Sequence, residues 1–399
     1  MRISNRAKRL QWSPIRKLIP YANKAKEEGV RVYHLNIGQP DIKTPPEVLL
    51  ALKEFETEVI SYGPSQGIPE LRKAVARYMG HYDIEVDPDE VVITNGGSEA
   101  LLFAFSIVAD DGDEIIVPEP FYTNYNGISQ ILGIKLVPVT TKAEEGFHLP
   151  PIEEFEKVFT DKTRAVLLCT PNNPTGTILT EEEMRMVVDF IKKKGIFLIT
   201  DEVYREFTFD GKKHTSALKF KDAWDQIIVV DSVSKRFSMC GARIGNIIAK
   251  NREIVTEAIK FAQARLCPPT VEQHLAVAAY NLPMEYFDGV REEYERRRNV
   301  VWNRLKGQKG IVLEKPEGAF YTVVKLPVDD SEAFAKWLLT DYRNRGETLM
   351  VAPAGGFYAT EGKGTDEVRI AYVLEVEKLE RAMDMLLDAL QKYPGKSCD

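Results

Sequence analysis

A polar turn between two apolar segments holds an unusual number of reactive side chains. Residues 227–230 and 244–249 have the length and the β-branched composition of strands buried on both faces. Ser232, Lys235 and Arg243 lie between them. A lysine in a dry site loses its proton readily and condenses with aldehydes, and an arginine beside serines binds a phosphate dianion. A solvated basic loop is the simpler interpretation of a single lysine, but this turn could also hold a ligand that carries an aldehyde and a phosphate.

Two other apolar segments end in polar residues. Residues 165–169 lead into Asn173 of an Asn-Pro-Thr-Gly turn, and residues 196–200 lead directly into Asp201. A carboxylate at the end of a buried strand is costly unless it has a partner, such as a protonated ring nitrogen. Because ligands bind at the carboxyl ends of strands in open α/β sheets, we expect Asn173, Asp201 and Lys235 to meet in one crevice.

A further predicted strand ends in paired glycines. Residues 91–94 favour a strand, and the helix that follows is expected to run to about residue 108. The paired glycines, Gly96 and Gly97, let the backbone approach an anion closely. Ser98 is expected to cap the helix, with its N–H pointing at a phosphate. Such turns also occur without a ligand, and this one has neither the spacing of a dinucleotide site nor that of a P-loop.

In their order along the chain, these motifs resemble those of the class I and II aminotransferases, the fold-type-I pyridoxal phosphate enzymes. The resemblance covers roughly residues 30–390 and rests on Ser-x-Ser-Lys followed by Gly-x-Arg-x-Gly, on Asn-Pro-Thr-Gly and on Asp-x-x-Tyr. It implies an α/β fold with a large domain, in which a mostly parallel, mixed seven-stranded sheet lies between helices, and a smaller α/β domain. The expected boundaries are 1–44 for an N-terminal arm and part of the small domain, 45–285 for the large cofactor-binding domain and 286–399 for the small C-terminal domain.

The resemblance also implies a role for each matching residue. Lys235 would form a Schiff base with pyridoxal 5′-phosphate and act as the general acid/base. Asp201 would keep the ring nitrogen cationic, and Tyr204 would bond the phenolic oxygen. The other implied cofactor contacts are Tyr62 of a partner subunit, Gly97, Ser98, Tyr122, Asn173, Ser232 and Arg243. The implied substrate-binding residues are Gly38, Asn173 and Arg369. Of these, Arg369 would bind the α-carboxylate of the substrate through two parallel hydrogen bonds.

Two assignments stay open at this level. Alignment on Pro-x-aromatic selects Tyr122 to stack on the cofactor ring, but Phe121 is its direct neighbour. Arg265 precedes Cys267 and two prolines in a segment that the resemblance places at a dimer interface. It is either a surface charge or, as a hypothesis, the ligand of the distal carboxylate of a dicarboxylic substrate.

The implied activity is ping-pong transfer of an amino group between an L-amino acid and a 2-oxo acid. Aspartate- and glutamate-type substrates come first, with aromatic or alanine-type substrates behind. Ser98 stands where some aspartate-preferring relatives have lysine, which weakens that order. A carbon–sulfur β-lyase on the same framework is the alternative. A regulator built on this fold would carry a DNA-binding domain, for which the residues before 30 leave no room.

Composition limits the other classes of function. The net charge of −7 offers no electrostatic attraction for nucleic acid or an anionic membrane, and no apolar run is long enough to cross a bilayer. The histidines lack metal-ligand spacing, so no metal site is expected. The widely spaced cysteines favour a reducing compartment and hence the cytoplasm. They are Cys169, Cys240, Cys267 and Cys398.

The N-terminal segment is strongly basic. Residues 1–26 contain eight Lys or Arg and no acidic residue. Such a composition is found in transit peptides. The resemblance instead implies an arm that packs against the partner subunit of a homodimer with shared active sites, and we expect the latter.

Overall fold

The computed structural model describes residues 1–10 and 12–396, so Cys398 lies outside the described residues. The strands in this part of the chain are β1 (Arg31–His34), β2 (Val91–Thr94), β3 (Glu114–Glu119), β4 (Lys135–Thr140), β5 (Thr163–Cys169), β6 (Phe197–Asp201), β7 (Ile227–Ser232), β8 (Gly245–Ala249), β9 (Tyr321–Lys325), β10 (Glu347–Met350), β11 (Ala352–Pro353) and β12 (Glu367–Ala371). The α-helices are α1 (Asn5–Arg9), α2 (Ile19–Glu27), α3 (Pro46–Lys53), α4 (Pro69–Gly80), α5 (Gly96–Val108), α6 (Asn124–Leu132), α7 (Ile152–Val158), α8 (Glu181–Lys194), α9 (Val233–Arg236), α10 (Arg252–Arg265), α11 (Thr270–Tyr280), α12 (Glu285–Leu305), α13 (Ser331–Thr340) and α14 (Val376–Lys392). None of these helices is both long and apolar enough to cross a membrane.

The largest sheet has seven strands in the order β2-β8-β7-β6-β5-β3-β4. β8 runs antiparallel to both of its neighbours, and all other pairs are parallel. β6, β7 and β8 are buried along almost their whole length because their side chains pack against helices on both faces. The predicted mostly parallel, mixed sheet of seven strands is therefore confirmed.

Three neighbouring strands of this sheet place the predicted chemistry at one edge. β5, β6 and β7 are adjacent and parallel, with Cys169 opposite Asp201 and Asp201 opposite Val230. Their carboxyl ends consequently face the same side. Asp201 is the last residue of β6, while Asn173 and Lys235 follow the ends of β5 and β7 by a few residues.

One of the two smaller sheets joins an early segment of the chain to its C-terminal part. β1 pairs in parallel with β10, and β12 lies between β11 and β9 in an antiparallel sheet. One hydrophobic core combines Leu18 and Leu35 with residues of α12, α13, α14 and these sheets. The early segment thus packs with the C-terminal part of the chain, whereas the exact boundaries at residues 44 and 285 stay a prediction.

Candidate active site

A cavity of about 380 Å³ opens at the carboxyl ends of β5, β6 and β7. Its size lies in the range of small-molecule sites. The predicted site residues on its wall are Gly38, Gly97, Ser98, Tyr122, Asn173, Asp201, Tyr204, Ser232, Lys235, Arg243 and Arg369. Of the predicted cofactor contacts, Tyr62 alone is not on this wall within the single chain.

Lys235 stands on the short helix α9, directly after β7. Ser232 begins that helix, and its Oγ accepts the Ser234 backbone N–H at 3.1 Å and lies 3.0 Å from the Ile244 oxygen, to which it donates. The Lys235 Nζ donates to the Gly38 backbone oxygen at 2.9 Å and lies 3.8 Å from Cys240 Sγ. A backbone oxygen and a thiol therefore contact the amine at the cavity wall, and no salt bridge holds it within the described residues.

Asp201 is buried at the end of β6 and accepts a hydrogen bond from a residue that the sequence analysis did not assign. The Tyr125 hydroxyl donates to Asp201 Oδ2 at 2.8 Å. Burial raises the pKa of Asp201 to about 6, because a charged carboxylate is poorly solvated there, and the Tyr125 bond opposes that rise. The signal for Tyr125 in the sequence was weak: it is one of several aromatic residues after β3, and aromatic clusters usually indicate core.

Tyr204 belongs to a group of buried polar side chains on the cavity wall. Its hydroxyl accepts a hydrogen bond from Asn173 Nδ2 at 3.3 Å and lies 3.1 Å from the Tyr321 hydroxyl. Burial raises the pKa of Tyr204 well above its ordinary value. Tyr321 was also missed by the sequence analysis, because its strand β9 lies more than a hundred residues away. Tyr321 packs directly against Gly38: a Cβ at residue 38 would lie 1.7 Å from the Tyr321 hydroxyl oxygen.

Arg369 is a buried cation without an acidic partner among the described residues. Its Nη1 donates to Asn173 Oδ1 at 3.1 Å and its Nη2 to the Asn36 backbone oxygen at 2.5 Å, while Nε has no hydrogen-bond partner. The guanidinium carbon lies 4.5 Å from the centre of the Tyr321 ring. Burial lowers the pKa of Arg369, as expected for a desolvated cation. An anionic ligand would supply the missing charge.

The turn between β2 and α5 forms an open cradle beside Arg243. Gly96 has φ +73°, and a Cβ there would lie 2.4 Å from Arg243 Nη2, so only glycine leaves the guanidinium in place. The amino end of α5 and Arg243 together provide the donors that a phosphate requires. The residues present therefore fit pyridoxal phosphate. The amino end of α5 and Arg243 fit its phosphate, Lys235 fits its aldehyde, and Asp201 fits its ring nitrogen.

One detail of this turn differs from the expectation. Asn95, not Ser98, is the residue that precedes the helix, and its side chain makes no capping bond to the helix backbone. Its backbone N–H instead donates to Glu99 Oε2 at 2.7 Å. The helix begins at Gly96, so its cap position lies three residues before the predicted one at Ser98. Ser98 still lies on the cavity wall, with an exposed side chain.

The two aromatic candidates separate clearly. Tyr122 is half-buried and lies on the cavity wall, whereas Phe121 is fully buried in the core between the large sheet and its helices. Only Tyr122 is therefore placed to stack on a ring in the cavity.

Tyr62 and Arg265 line a separate, open pocket. Arg265 is not a free surface charge: its Nη2 donates to the Ile93 oxygen at 3.0 Å, and its Nε lies 3.3 Å from Glu99 Oε2. Neither residue reaches the cavity of its own chain. Their predicted roles therefore depend on a partner subunit.

Another cavity, of about 440 Å³, contains none of the predicted site residues. Its cations already have acidic partners: Lys315 pairs with Asp210, and both Lys212 and His148 pair with Glu317. Among the described residues it therefore offers no unpaired cation for an anionic ligand.

Comparisons with known proteins agree with the geometry. The family model described as "Aminotransferase class I and II" matches residues 30–386. The aromatic-amino-acid aminotransferase 2 of Thermococcus litoralis is 33% identical, over 98% of this chain and 99% of the relative. The solved structure of an aspartate aminotransferase from Thermotoga maritima has a TM-score of 0.89 at 31% identity, and it covers 98% of this chain and 100% of its own. An alanine aminotransferase from Pyrococcus furiosus has a TM-score of 0.88 at 30% identity with the same coverage.

Proposed function

This chain belongs to the class I and II aminotransferases, and on that premise we propose which residues perform the reaction and which substrates it takes. It is a fold-type-I, pyridoxal phosphate-dependent transaminase that moves an amino group between an L-amino acid and a 2-oxo acid. The observation that carries the site assignment is the buried Arg369, which has no acidic partner in the described part of the chain and shares a cavity with the Lys235 amine. An α-amino acid has the carboxylate and the amino group that such a pair would bind.

Pyridoxal phosphate supplies an aldehyde that binds amino groups and a cationic ring that accepts electrons from the substrate Cα. Lys235 is the residue that would hold it covalently and, once released, take the proton from the substrate Cα. Its Nζ lies 2.9 Å from the Gly38 oxygen, which would keep the free amine beside the reacting carbon. Gly38 thus contributes through its backbone.

Asp201 would face the ring nitrogen and keep it protonated. In a buried site the positive ring nitrogen would in turn lower the pKa of Asp201 from about 6, so that the carboxylate stays ionised. Asn173 and Tyr204 would bind the phenolic oxygen, and Tyr122 would stack on the ring. The phosphate would be held by Arg243, Gly97, Ser98 and Ser232.

Arg369 would bind the substrate α-carboxylate through two parallel hydrogen bonds. Asn173 orients one of its amino groups from a distance of 3.1 Å, so the guanidinium is positioned before substrate arrives. This preorganisation orients the Cα–H bond toward Lys235.

For the substrate we favour aspartate- and glutamate-type amino acids. The four cations on the cavity wall, against the single acid Asp201, suit dianionic substrates better than neutral ones. Relatives and structural neighbours carry the names of aspartate, aromatic and alanine aminotransferases. Values of kcat/KM for the three classes of amino acid therefore test this preference.

We further propose a homodimer with shared active sites. Val59, Ile60 and Tyr62 are 70%, 67% and 82% exposed, and all three line one open pocket with Arg265. A contiguous apolar patch of this kind marks a protein interface. Across it, Tyr62 would reach the phosphate of the partner subunit. In each subunit, residues 45–285 would bind the cofactor, and residues 1–44 and 286–399 would form the arm and small domain.

A cytoplasmic location fits the cysteines. Cys169, Cys240 and Cys267 are free thiols. Thiols that stay reduced are typical of proteins in reducing compartments.

The function is tested by single half-reactions of the holoenzyme. Stoichiometric L-aspartate, added without an oxo acid, should change the visible absorbance and release one oxo acid per site, and 2-oxoglutarate should restore the spectrum. Lys235→Ala should bind the cofactor and lose this cycle. Lys212→Ala should keep it, because Lys212 pairs with Glu317 in a different cavity. Pyruvate and thiol from cystathionine, formed without an oxo acid, would instead establish a lyase.

A further inference from the structure

The segment of residues 13–16 returns from the N-terminus and forms part of the cavity wall. Asn36 Nδ2 donates to the Ile15 backbone oxygen at 3.4 Å, and the Ile15 side chain packs on a small apolar cluster that includes Phe147 and Phe357. Pro14 lies so close to Gly356 that a Cβ there would be 2.3 Å from the proline ring. These contacts fix the backbone and hold the arginine at the end of the segment beside the cavity.

That arginine, Arg16, is the cation of the cavity without a partner among the described residues. Lys235 donates to Gly38, Arg243 to Cys240 and Arg369 to Asn173. The guanidinium of Arg16 has no ion pair or hydrogen bond within residues 1–10 and 12–396. The next residue, Lys17, pairs with Glu332 and points elsewhere.

One cation of the cavity wall has no anion assigned to it. In the proposed function Arg243 faces the phosphate, Arg369 the α-carboxylate and Asp201 the ring nitrogen, while Lys235 holds the cofactor. Arg16 is the remaining charged group on the wall. A cation at the mouth of a cavity that already binds one carboxylate of its ligand is placed to bind a second one.

We propose that Arg16 of the same chain binds the distal carboxylate of the substrate and thereby gives this enzyme its preference for dicarboxylic amino acids. The proposal rests on the function proposed for the site and adds the residue that reads the substrate side chain. A guanidinium suits this role because it binds a carboxylate with two parallel hydrogen bonds.

The positive charge of Arg16 acts on Tyr122, another residue of the cavity wall. Burial raises the pKa of Tyr122 to about 12, and the positive charges of Arg369 and Arg16 both oppose that rise. The two arginines therefore act on the same side chain. A substrate bound by Arg369 beside Tyr122 would have its side chain within the field of Arg16.

Arg265 is the other candidate for binding the distal carboxylate. It lies in the separate pocket with Tyr62 and already contacts Glu99. Arg16 needs no partner subunit to reach the cavity. Substitutions of the two arginines thus separate the hypotheses.

The kinetic test measures kcat/KM for L-aspartate, L-glutamate and L-phenylalanine in the holoenzyme. Arg16→Met should lower kcat/KM for aspartate and glutamate about tenfold or more, chiefly through KM, since a hydrogen-bonded charge pair is lost. The value for phenylalanine should change less than about twofold, because that substrate has no distal charge. Lys17→Met, on the same arm, should leave all three values unchanged. Losses of equal size for all three amino acids in Arg16→Met, or a selective loss in Arg265→Met instead, would overturn the proposal.

A binding measurement does not depend on turnover. Succinate and butyrate have the same four-carbon chain, and succinate carries the second carboxylate. Calorimetric titration of the holoenzyme should show tighter binding of succinate, and Arg16→Met should abolish that difference while Lys17→Met keeps it. If the wild type transfers amino groups and Arg16→Met still prefers succinate, only the role of Arg16 is wrong. If the wild type transfers no amino group from any of the three amino acids, the proposed function fails, and the role of Arg16 fails with it.

Discussion

At the scale of single residues, the environment of Asp201 would decide, in the proposed function, whether the site can work near neutral pH. No lysine or arginine among the described residues pairs with this buried carboxylate, and its pKa is raised to about 6 by burial. The Tyr125 hydroxyl is the strongest contact that favours the ionised form. A residue that never touches the substrate would thus set the acid limit of the reaction.

Tyr125→Phe tests this control. Loss of a hydrogen bond to a charged group should raise the pKa of Asp201 further, by about one unit. The protonated form then persists to higher pH, so the acid limb of the pH profile of kcat/KM for aspartate should move upward, with little change in rate at alkaline pH. Tyr294→Phe is the matched control, because its buried hydroxyl has no hydrogen-bond partner among the described residues. An acid limb that stays in place in Tyr125→Phe would contradict this role.

At the scale of elements, the turn before α5 and the cap of α8 show two ways to begin a helix. α5 begins with the left-handed Gly96, without a side-chain cap, and leaves its amino end open to the cavity. α8 begins with the capping box of Thr180 and Glu183 that their spacing predicts. The open helix end suits ligand binding, and the closed one contributes to stability.

Gly96→Ala should disturb the phosphate cradle. The new Cβ would lie 2.4 Å from Arg243 Nη2, and alanine in a left-handed conformation is itself strained by about 1 kcal/mol. We expect the dissociation constant of pyridoxal phosphate to rise about tenfold or more, which corresponds to at least one lost charged hydrogen bond. The measurement is equilibrium binding to the apoenzyme.

Gly97→Ala provides the comparison for this prediction. A Cβ at Gly97 would meet Ser232 Cβ at 3.7 Å, an ordinary contact, and the backbone there is not left-handed. The affinity for the cofactor should therefore fall less than in Gly96→Ala. Equal losses in the two variants would show that Arg243 is not held in place by the glycine.

Thr180→Ala should destabilise α8 without affecting the site. The Thr180 hydroxyl accepts the Glu183 N–H at 3.1 Å, and loss of such a cap lowers the free energy of unfolding by about 1 kcal/mol. Denaturant titration should show a lower midpoint, and Thr180→Ser should restore it. Because Glu183 also accepts the Leu149 N–H at 2.7 Å, a loss well above this value would mean that the neighbouring loop opens as well.

At the scale of the whole molecule, the chain folds back on itself so that distant segments share one site. β1 pairs with β10, about three hundred residues later, and this brings Asn36 and Gly38 to Arg369 and Lys235. The same closure carries the N-terminal arm to the cavity. An apolar surface around Ile60 and Tyr62 is exposed.

Ile60→Asp should weaken self-association. A buried, unpaired carboxylate in an apolar interface is strongly unfavourable, so the sedimentation coefficient should shift toward that of the monomer at a concentration where the wild type is dimeric. Ile60→Val keeps an apolar side chain and should stay dimeric. If Ile60→Asp and the wild type sediment alike, the interface lies elsewhere.

The sequence by itself determined the type of sheet and the residues at its strand ends. Fully apolar β-branched runs indicate strands buried on both faces. Asp201 follows such a run directly, and Asn173 and Lys235 follow theirs by a few residues. Parallel neighbours then place these residues at one edge. The composition of each run and the polar residue after it are local features, so a single sequence is enough to recognise them.

Only the tertiary structure decided which groups surround those residues. Tyr125, Tyr321 and Gly96 act through contacts with side chains far away in the sequence, and no spacing encodes such contacts. Likewise, the basic N-terminal segment gave no sign that Arg16 alone would lie at the cavity while Lys17 pairs elsewhere. The physical reason is that periodicity reports which face of an element is buried, whereas the partner on that face is set by packing of the whole chain.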